Sequence, residues 1–370
     1  MSELRVIISG GGTGGHIFPA VSIANALREL RPDVKILFVG AEGRMEMQRV
    51  PAAGYEIVGL PVRGLLRPLW KLGNISILRD YLRSKRMVKQ TLRDFRPNVA
   101  VGVGGYASSA TLSAAYEMGI PCLIQEQNSY AGLTNKSLAR KASKICVAYE
   151  GMERFFPKDR ILLTGNPVRQ DLLNASLTRE ESAAAFGLNP SKPIVLLMGG
   201  SLGARTLNES VIRNLSRIAA SSVQFIWQTG SYYRKEIEQL IDVKGKPGNL
   251  VVTDFIGRMD QAYRAADLVI SRAGAGSISE LCLLGKPCIL VPSPNVAEDH
   301  QTKNALALVN RDAALLVRDA EAPEALIPLA LETVADADKL QQLSRNISAM
   351  ALPDSARIIA EEVVKLAFRD

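Results

Sequence analysis

Two glycine-rich loops of similar design constrain the fold of this chain more than any other feature. Residues 10–15 follow the mainly apolar run Leu4–Ser9, and residues 199–204 follow the apolar run Ile194–Met198. Apolar runs of this length predict strands buried on both faces, and glycines at their ends let backbone N–H groups approach an anion at the next helix N-terminus. The repetition predicts two similar α/β domains.

Strand and helix signals alternate along both halves, which is typical of parallel sheets. The predicted strands are Leu4–Ser9, Val34–Val39, Tyr55–Leu60, Val99–Val103, Ile120–Ile124, Ile145–Ala148, Ile161–Leu163, Ile194–Met198, Gln224–Trp227, Leu250–Thr253, Leu268–Ser271, Cys288–Val291 and Ala314–Val317. A turn signal at residues 165–169 separates the halves. We predict two Rossmann-like, doubly wound parallel-sheet domains, residues 1–165 and 166–351, with a helix in residues 352–370 packing back on the first.

The positive charge is concentrated in one segment. Residues 63–96 hold ten Lys or Arg and two Asp, which accounts for the whole net charge of +8 in this chain of 370 residues. A local basic patch predicts an anionic partner surface. Nucleic acid is not expected, because few aromatic side chains interleave with these cations.

The cysteines and the N-terminus favour a reducing compartment. The four cysteines have apolar neighbours and no Cys-x-x-Cys spacing, so we expect reduced packing residues rather than disulfides or metal ligands. The first residues run into a strand pattern without a basic start or a long apolar stretch, so no signal peptide is expected.

His16 stands where the first glycine loop enters a helix, and it is one of two histidines in the chain. An imidazole there lies near any phosphate or reacting hydroxyl, and its ordinary pKa of about 6.5 suits a general base. A capping or packing histidine is the alternative.

The most informative stretch of the second half is residues 266–280. A strand ends in a loop of small residues, and we predict a helix beginning near Ser277 with Glu280 in its first turn. Such a helix start offers N–H groups to a diphosphate, and a carboxylate can accept bonds from two ribose hydroxyls. Alternatively, Glu280 and Ser277 form a capping box.

Several motifs in chain order carry a specific resemblance. They are Gly-Gly-Thr-Gly-Gly-His at 11–16, Gly-Val-Gly-Gly-Tyr at 102–106, Glu-Gln-Asn at 126–128 with Ala-Gly-Leu-Thr-Asn at 131–135, Gly-Asn-Pro-Val-Arg at 165–169, Gly-Gly-Ser-Leu-Gly-Ala at 199–204, Ala-Asp-Leu-Val-Ile-Ser-Arg-Ala-Gly at 266–274 and Asp-His-Gln at 299–301. The chain thereby resembles the MurG family of peptidoglycan glycosyltransferases. The resemblance implies the GT-B fold, two Rossmann-like domains facing an interdomain cleft, and an inverting transfer of N-acetylglucosamine (GlcNAc).

The resemblance implies that the C-terminal domain binds the donor, UDP-GlcNAc. Ser201 would contact the diphosphate, Arg169 would add positive charge there, and the backbone of Ile256 would contact the uracil. Thr302 stands where the family often has a second glutamine. The residues implied to hold the rest of the donor, with Glu280 on the ribose, are Ala275, Gly276, Ser277, Ile278, Ser279, Glu280 and Gln301.

The acceptor, undecaprenyl-diphosphoryl-MurNAc-pentapeptide, is implied to bind the N-terminal domain. His16 or Glu126 would be the general base, and the residues alone do not decide between them. Tyr106 and Asn135 would line the acceptor side. The residues implied at the muramoyl diphosphate or the donor are Thr13, Gly14, Gly15 and Asn128.

The resemblance gives the basic segment a purpose. Residues 64–73 mix aliphatic side chains and a tryptophan with cations, and Ile75–Phe95 is a basic amphipathic helix. This pattern predicts peripheral docking at an anionic bilayer, on the cytoplasmic face of the plasma membrane, with a solvated helix face as the alternative. The predicted docking residues are Leu65, Leu66, Arg67, Leu69, Trp70, Lys71 and Arg79.

Two other functional classes stay open. The Gly-x-Gly-x-x-Gly match of the first loop, with Glu42 available for a ribose, also fits a dinucleotide-dependent oxidoreductase. A non-catalytic membrane-binding scaffold would bind no UDP-sugar at all. The transferase needs no cofactor and no metal, and the Asp-Ala-Asp at 336–338 is interpreted as a solvated helix face.

Overall fold

The computed structural model describes residues 3–12, 14–64, 73–168, 172 and 177–368. The chain divides into two compact units. Unit 1 comprises Met1–Arg169 with Leu352–Asp370, and unit 2 comprises Gln170–Ala351. Each unit is an α/β layer structure with its own sheet.

Within the described part of unit 1, seven parallel strands form one sheet in the order β3-β2-β1-β4-β5-β6-β7. Both neighbours of β1 pair with it directly, since Val6 is in register with Ile36 on one side and with Val99 on the other. The chain order therefore reverses between β1 and β4, which is where open α/β sheets bind ligands. The strands are β1 (Arg5–Ser9), β2 (Lys35–Ala41), β3 (Glu56–Leu60), β4 (Val99–Gly102), β5 (Cys122–Glu126), β6 (Lys144–Val147) and β7 (Ile161–Leu163).

Helices cover both faces of this sheet. Alternate residues of β1 enter different cores: Val6 and Ile8 pack with Leu27, whereas Ile7 packs with Leu112. This alternation follows from the period of two in a strand and explains why the three central residues of β1 are all apolar. The helices of the first 169 residues are α1 (Gly14–Leu30), α2 (Glu46–Ala52), α3 (Gly73–Phe95), α4 (Tyr106–Glu117) and α5 (Leu133–Leu138).

Unit 2 repeats the topology of the first six strands of unit 1. Its described residues form a parallel sheet in the order β10-β9-β8-β11-β12-β13, with the reversal between β8 and β11. The strands are β8 (Ile194–Met198), β9 (Gln224–Gln228), β10 (Leu250–Thr253), β11 (Leu268–Ser271), β12 (Cys288–Leu290) and β13 (Leu315–Leu316). The helices are α6 (Arg179–Ala184), α7 (Arg205–Arg213), α8 (Leu215–Ala219), α9 (Arg234–Lys244), α10 (Met259–Ala265), α11 (Ala275–Leu284), α12 (His300–Val309), α13 (Ala322–Ala335) and α14 (Ala337–Ser348).

The last helix, α15 (Ser355–Ala367), belongs to the core of unit 1 although it follows unit 2 in the chain. It packs on α1, and Ile359 and Val363 are fully buried in the core that contains Val6 and Ile8. The chain therefore has to return to unit 1 to complete that unit's core.

The four cysteines are free and buried. Burial raises the pKa of the Cys122, Cys146 and Cys282 thiols to about 12, and it raises the pKa of Cys288 further still. The prediction that they are packing residues is confirmed. Among the described residues, no helix has the length and apolar character needed to cross a bilayer.

Ile359→Ala, a substitution in the C-terminal helix α15, is expected to destabilise unit 1. Removing this buried side chain should lower the free energy of unfolding by about 2–4 kcal/mol, because the space it leaves cannot be filled. Hydrogen exchange should then speed up in β1 and α1 and stay unchanged in β8. The control is Arg357→Ala, whose side chain is 56% exposed. Faster exchange in β8 with none in α1 would contradict the assignment of α15 to unit 1.

Candidate active site

The loops after β1 and β4 touch backbone to backbone at the carboxyl edge of the first sheet. A Cβ on Gly10 would lie 2.0 Å from Val103 Cγ2, and one on Gly105 would lie 2.6 Å from the Gly11 carbonyl oxygen. Glycine is required at these positions because any side chain would separate the two loops. The edge therefore exposes backbone groups at the reversal point of the strand order.

His16 is the third residue of α1 and is half-buried at this edge. Its Nδ1 lies 3.1 Å from the Gly11 carbonyl oxygen. A carbonyl oxygen can only accept, so Nδ1 carries the hydrogen and Nε2 is the basic nitrogen of the neutral ring. Nε2 is on the side of Gly104, where a Cβ would come within 2.8 Å of it. The ring is oriented by the loop.

Glu46, the first residue of α2, is the functional candidate that sequence reasoning missed. Its carboxylate is fully buried and accepts from the backbone N–H of Ala41 and of Gly12, each at 3.0 Å. A Cβ on Gly11 would lie 2.0 Å from Glu46 Oε1. The acidic residue considered from the sequence, Glu42, instead packs against Gly59 of β3.

Glu126 ends β5 and is 2% exposed. One carboxylate oxygen accepts from the backbone and side-chain N–H of Asn128, at 3.0 and 3.2 Å. The other accepts from the Gly132 N–H at 3.0 Å and from Asn135 Nδ2 at 2.9 Å. The structure thus brings together three residues implied by the resemblance, Glu126, Asn128 and Asn135. The residues after β5 surround the Glu126 carboxylate and donate hydrogen bonds to it.

Buried amide side chains hold the same edge in place through hydrogen bonds within unit 1. Gln127 Nε2 donates to the Val103 carbonyl at 2.8 Å, and Gln125 Nε2 donates to Asn166 Oδ1 at 2.9 Å.

Tyr106 begins α4 with 53% of its surface exposed. Gly14 and Gly15 form the start of α1, at the same edge.

Some predicted residues lie outside the part of the chain that the structure describes. They are Thr13, Leu65, Leu66, Arg67, Leu69, Trp70, Lys71 and Arg169.

The second sheet has an equivalent edge. A Cβ on Gly203 would lie 2.1 Å from the Thr229 carbonyl oxygen, and one on Gly230 would lie 2.0 Å from the Gly203 nitrogen, so the loops after β8 and β9 are also in backbone contact. The Ser201 carbonyl accepts from the Ser231 N–H at 3.2 Å. Ser201 and Leu202 stay exposed just before α7.

The start of α11 differs from the prediction. The helix begins at Ala275 with Gly274 as its N-cap, two residues before Ser277, and Glu280 falls in its second turn. The reason is that β11 ends at Ser271, and Gly274, in an extended conformation, already completes the turn. The backbone N–H groups of the first turn have no acceptor within the helix.

The capping-box interpretation of Glu280 is wrong. Glu280 Oε2 accepts from the hydroxyl of Tyr263 at 2.9 Å, and Tyr263 is 1% exposed. The hydroxyl of this buried tyrosine, which lies on α10, therefore fixes the orientation of the Glu280 carboxylate. Ile278 is buried on the inner side of α11, while Ala275, Gly276, Ser277 and Ser279 are half-buried around it.

The other predicted donor residues follow β10 and β12. Ile256 is 4% exposed and belongs to the core of unit 2, so its backbone is held in place. Gln301 Oε1 accepts from the Ser293 N–H at 2.8 Å, and the Thr302 hydroxyl donates to Asp299 at 2.7 Å.

Asp336, in the Asp-Ala-Asp motif, caps α14 by accepting from the Lys339 N–H at 2.9 Å.

Comparisons with known proteins agree with this architecture. Residues 6–147 match the glycosyltransferase family 28 N-terminal domain, and residues 194–359 match the glycosyltransferase family 28 C-terminal domain. The crystal structure of Acinetobacter baumannii MurG superposes with a TM-score of 0.78 at 28% identity and covers 98% of this chain and 99% of that one. The chain belongs to the MurG family of glycosyltransferases. The prediction of the GT-B fold is confirmed.

Relatives in the MurG family are much closer in sequence. A Bacteroides fragilis protein is 65% identical over 366 residues, 98% of this chain and 96% of that protein. A Bacteroides thetaiotaomicron protein is 62% identical over 367 residues, 99% of this chain and 98% of that protein. Both are named UDP-N-acetylglucosamine--N-acetylmuramyl-(pentapeptide) pyrophosphoryl-undecaprenol N-acetylglucosamine transferase.

Gly105→Ala is expected to damage the first edge beyond the cost of its backbone strain. Gly105 and Gly151 have φ of 87° and 75°, but a Cβ at Gly151 has nothing within 4 Å, whereas one at Gly105 meets the Gly11 carbonyl. Gly151→Ala should cost about 1–2 kcal/mol of unfolding free energy from φ alone. Gly105→Ala should cost more and also displace the carbonyl that holds His16. Equal losses in urea unfolding would contradict the close approach.

Proposed function

We propose that this glycosyltransferase moves GlcNAc from UDP-GlcNAc to the 4-hydroxyl of N-acetylmuramic acid in undecaprenyl-diphosphoryl-MurNAc-pentapeptide. The product is the β-1,4-linked disaccharide lipid precursor of peptidoglycan. The observation that carries the proposal is identity of 52–65% over nearly the whole chain to proteins named for this transfer. The two strand-end edges supply the chemical groups that the reaction needs.

Unit 2 is proposed to bind the donor. The first turn of α11 contains no acidic residue, so its N–H groups and helix dipole favour the diphosphate. Glu280, aimed by Tyr263, accepts bonds from the ribose hydroxyls, and Ser201 reaches the diphosphate from the glycine loop. Negative charge grows on the departing UDP, so donors fixed in advance stabilise the transition state. The remaining proposed donor contacts are Arg169, Ile256, Ala275, Gly276, Ser277, Ile278, Ser279 and Gln301.

Unit 1 is proposed to bind the acceptor and to remove its proton. The acceptor O4 attacks C1 of GlcNAc, the bond from C1 to the β-phosphate oxygen breaks, and its electron pair leaves with UDP. The O4 proton passes to Nε2 of His16 and then to solvent. A single displacement of this kind inverts α to β.

The hydrogen bonds at this edge separate the roles of the two candidate bases. Both Glu126 oxygens already accept from protein N–H groups, two donors to each. We therefore propose Glu126 as the residue that positions the loop bearing Asn128 and Asn135, and His16 as the base. Thr13, Gly14, Gly15 and Tyr106 complete the proposed surface for the muramoyl diphosphate.

His16→Ala is expected to lower kcat by about 10²–10⁴-fold while the affinity for UDP-GlcNAc stays unchanged, because only proton removal is lost. Glu280→Gln is the matched comparison and should mainly weaken donor binding. Calorimetry with UDP-GlcNAc and an assay of lipid-linked disaccharide measure the two effects. Binding of NADH without UDP-GlcNAc would favour the oxidoreductase, and binding of neither would favour the scaffold.

We also propose that α3 docks unit 1 on an anionic bilayer at the cytoplasmic face of the plasma membrane. One face of α3 is buried, whereas Ile75, Leu78 and Leu82 are 69%, 59% and 50% exposed. Their spacing places them on one side of the helix, where Arg79 and Arg83 are also exposed. An exposed apolar stripe bordered by cations fits an anionic lipid surface. The six flanking docking residues predicted between Leu65 and Lys71 extend this proposal outside the described residues.

Not every cation of α3 is available to lipid. Lys85 and Lys89 both pair with Glu117 of α4, and these pairs lower the pKa of Glu117 to about 2. Arg79→Gln with Arg83→Gln should therefore weaken sedimentation with phosphatidylglycerol vesicles by about 30-fold, at about 1 kcal/mol for each cation. Lys85→Gln with Lys89→Gln, an equal change of charge, should have little effect. Equal weakening in both double variants would contradict docking through this face.

A further inference from the structure

We infer that Glu46 is a positioning residue that acts on His16 through a single peptide group. The inference rests on the proposed function, since it concerns the residue proposed to take the acceptor proton. Glu46 touches no substrate in this scheme, because its carboxylate is fully buried beneath the first glycine loop.

The geometry forms a continuous chain of hydrogen bonds. Glu46 Oε2 accepts from the Gly12 N–H at 3.0 Å, and His16 Nδ1 donates to the Gly11 carbonyl oxygen at 3.1 Å. The Gly12 N–H and the Gly11 C=O belong to the same peptide unit. The carboxylate and the imidazole therefore hold opposite ends of one peptide group.

This arrangement has two chemical consequences. The peptide cannot rotate without breaking both bonds, so Nδ1 keeps its hydrogen and Nε2 stays the proton acceptor. Donation of the N–H to a carboxylate also increases the negative charge on the peptide oxygen, since hydrogen bonds in a chain polarise one another. The more negative oxygen stabilises the imidazolium that forms when His16 accepts the O4 proton, so Glu46 raises the basicity of His16.

The rest of the protein holds Glu46 in place. Its second oxygen accepts from the Ala41 N–H at the end of β2, the strand beside β1. Gly40 supplies the space, because a Cβ there would lie 2.6 Å from Glu46 Cγ. One carboxylate oxygen is thus anchored to the sheet, while the other holds the glycine loop.

Other ionisable groups also lie at this edge. Four of them are Glu42 and Arg44 after β2, Tyr106 at the start of α4 and Glu126 at the end of β5. All four remain unchanged in the variants below, so a change in the titration of His16 reports on Glu46.

The chain offers a clean readout, because His16 and His300 are its two histidines. In full-length protein labelled with ¹⁵N-histidine, NMR of the wild type should show His16 with hydrogen on Nδ1 in the neutral ring. In Glu46→Gln, the pKa of His16 should fall by about one unit, because the imidazolium loses its stabilisation. The acid limb of the kcat profile should move to lower pH by the same amount, while His300 in unit 2 titrates as before.

Controls separate positioning from general loss of structure. Asp267 also accepts a backbone N–H, that of Ile194 at 2.8 Å, and it lies in unit 2. Asp267→Asn should lower stability without moving the His16 pKa. Glu46→Asp keeps the charge but shortens the reach, and it serves if the glutamine variant does not fold.

The outcomes distinguish this inference from the proposed function. A wild-type His16 with hydrogen on Nε2, or an unmoved His16 pKa in a folded Glu46 variant, overturns the inference even if transfer activity is present. The expected tautomer and pKa shift without any GlcNAc transfer support the inference and refute the proposed function.

Discussion

The close approach of neighbouring loops at the carboxyl ends of the strands is the constraint on which the rest of this structure depends. Gly105 against Gly11 in unit 1 and Gly230 against Gly203 in unit 2 are contacts between backbones, with no room for a Cβ. Parallel strands bring these loops to one edge, and glycine lets their peptide groups form the surface of that edge. The proposed anionic ligands would be recognised there by N–H groups whose positions the sheet has already fixed.

The two units share a sheet topology but hold their strand-end loops by different interactions. In unit 1, two buried carboxylates, Glu46 and Glu126, accept loop N–H groups and hold the loops in place. In unit 2, the N-cap of α11, Gly274, makes no side-chain capping hydrogen bond, and a tyrosine hydroxyl orients the carboxylate of Glu280. Loops held by buried carboxylates fit the proposed positioning of a base, and a helix N-terminus without a side-chain cap fits the proposed binding of a diphosphate.

The sequence predicted the sheets well and the side-chain partnerships poorly. Continuous apolar runs located the strands, because burial on both faces leaves little room for polar residues. The start of α11 was misjudged because Ser277 is a good N-cap by propensity, whereas the distance from Ser271 to Gly274 decides where the turn ends. Tyr263, which donates to Glu280, is 17 residues away in the chain, and Gly12, which donates to Glu46, is 34 residues away. Contacts of this range depend on packing, which local patterns do not encode.

Glu46 shows what kind of signal a buried functional carboxylate leaves in a sequence. A glutamate in the first turn of a helix ordinarily faces water and interacts with the helix dipole, so Glu46 by itself is unremarkable. The signal of its burial in the sequence is the presence of glycines that pack against it. Gly40 is the penultimate residue of the buried strand β2, where glycine normally weakens the sheet, and its backbone is not in the left-handed region. It is glycine because the side chain of Glu46 occupies the place of its Cβ. A glycine in a buried strand whose backbone any residue could adopt therefore indicates that a large side chain packs against it. Here that side chain is Glu46, which is hydrogen-bonded to the peptide group that holds the proposed base, His16.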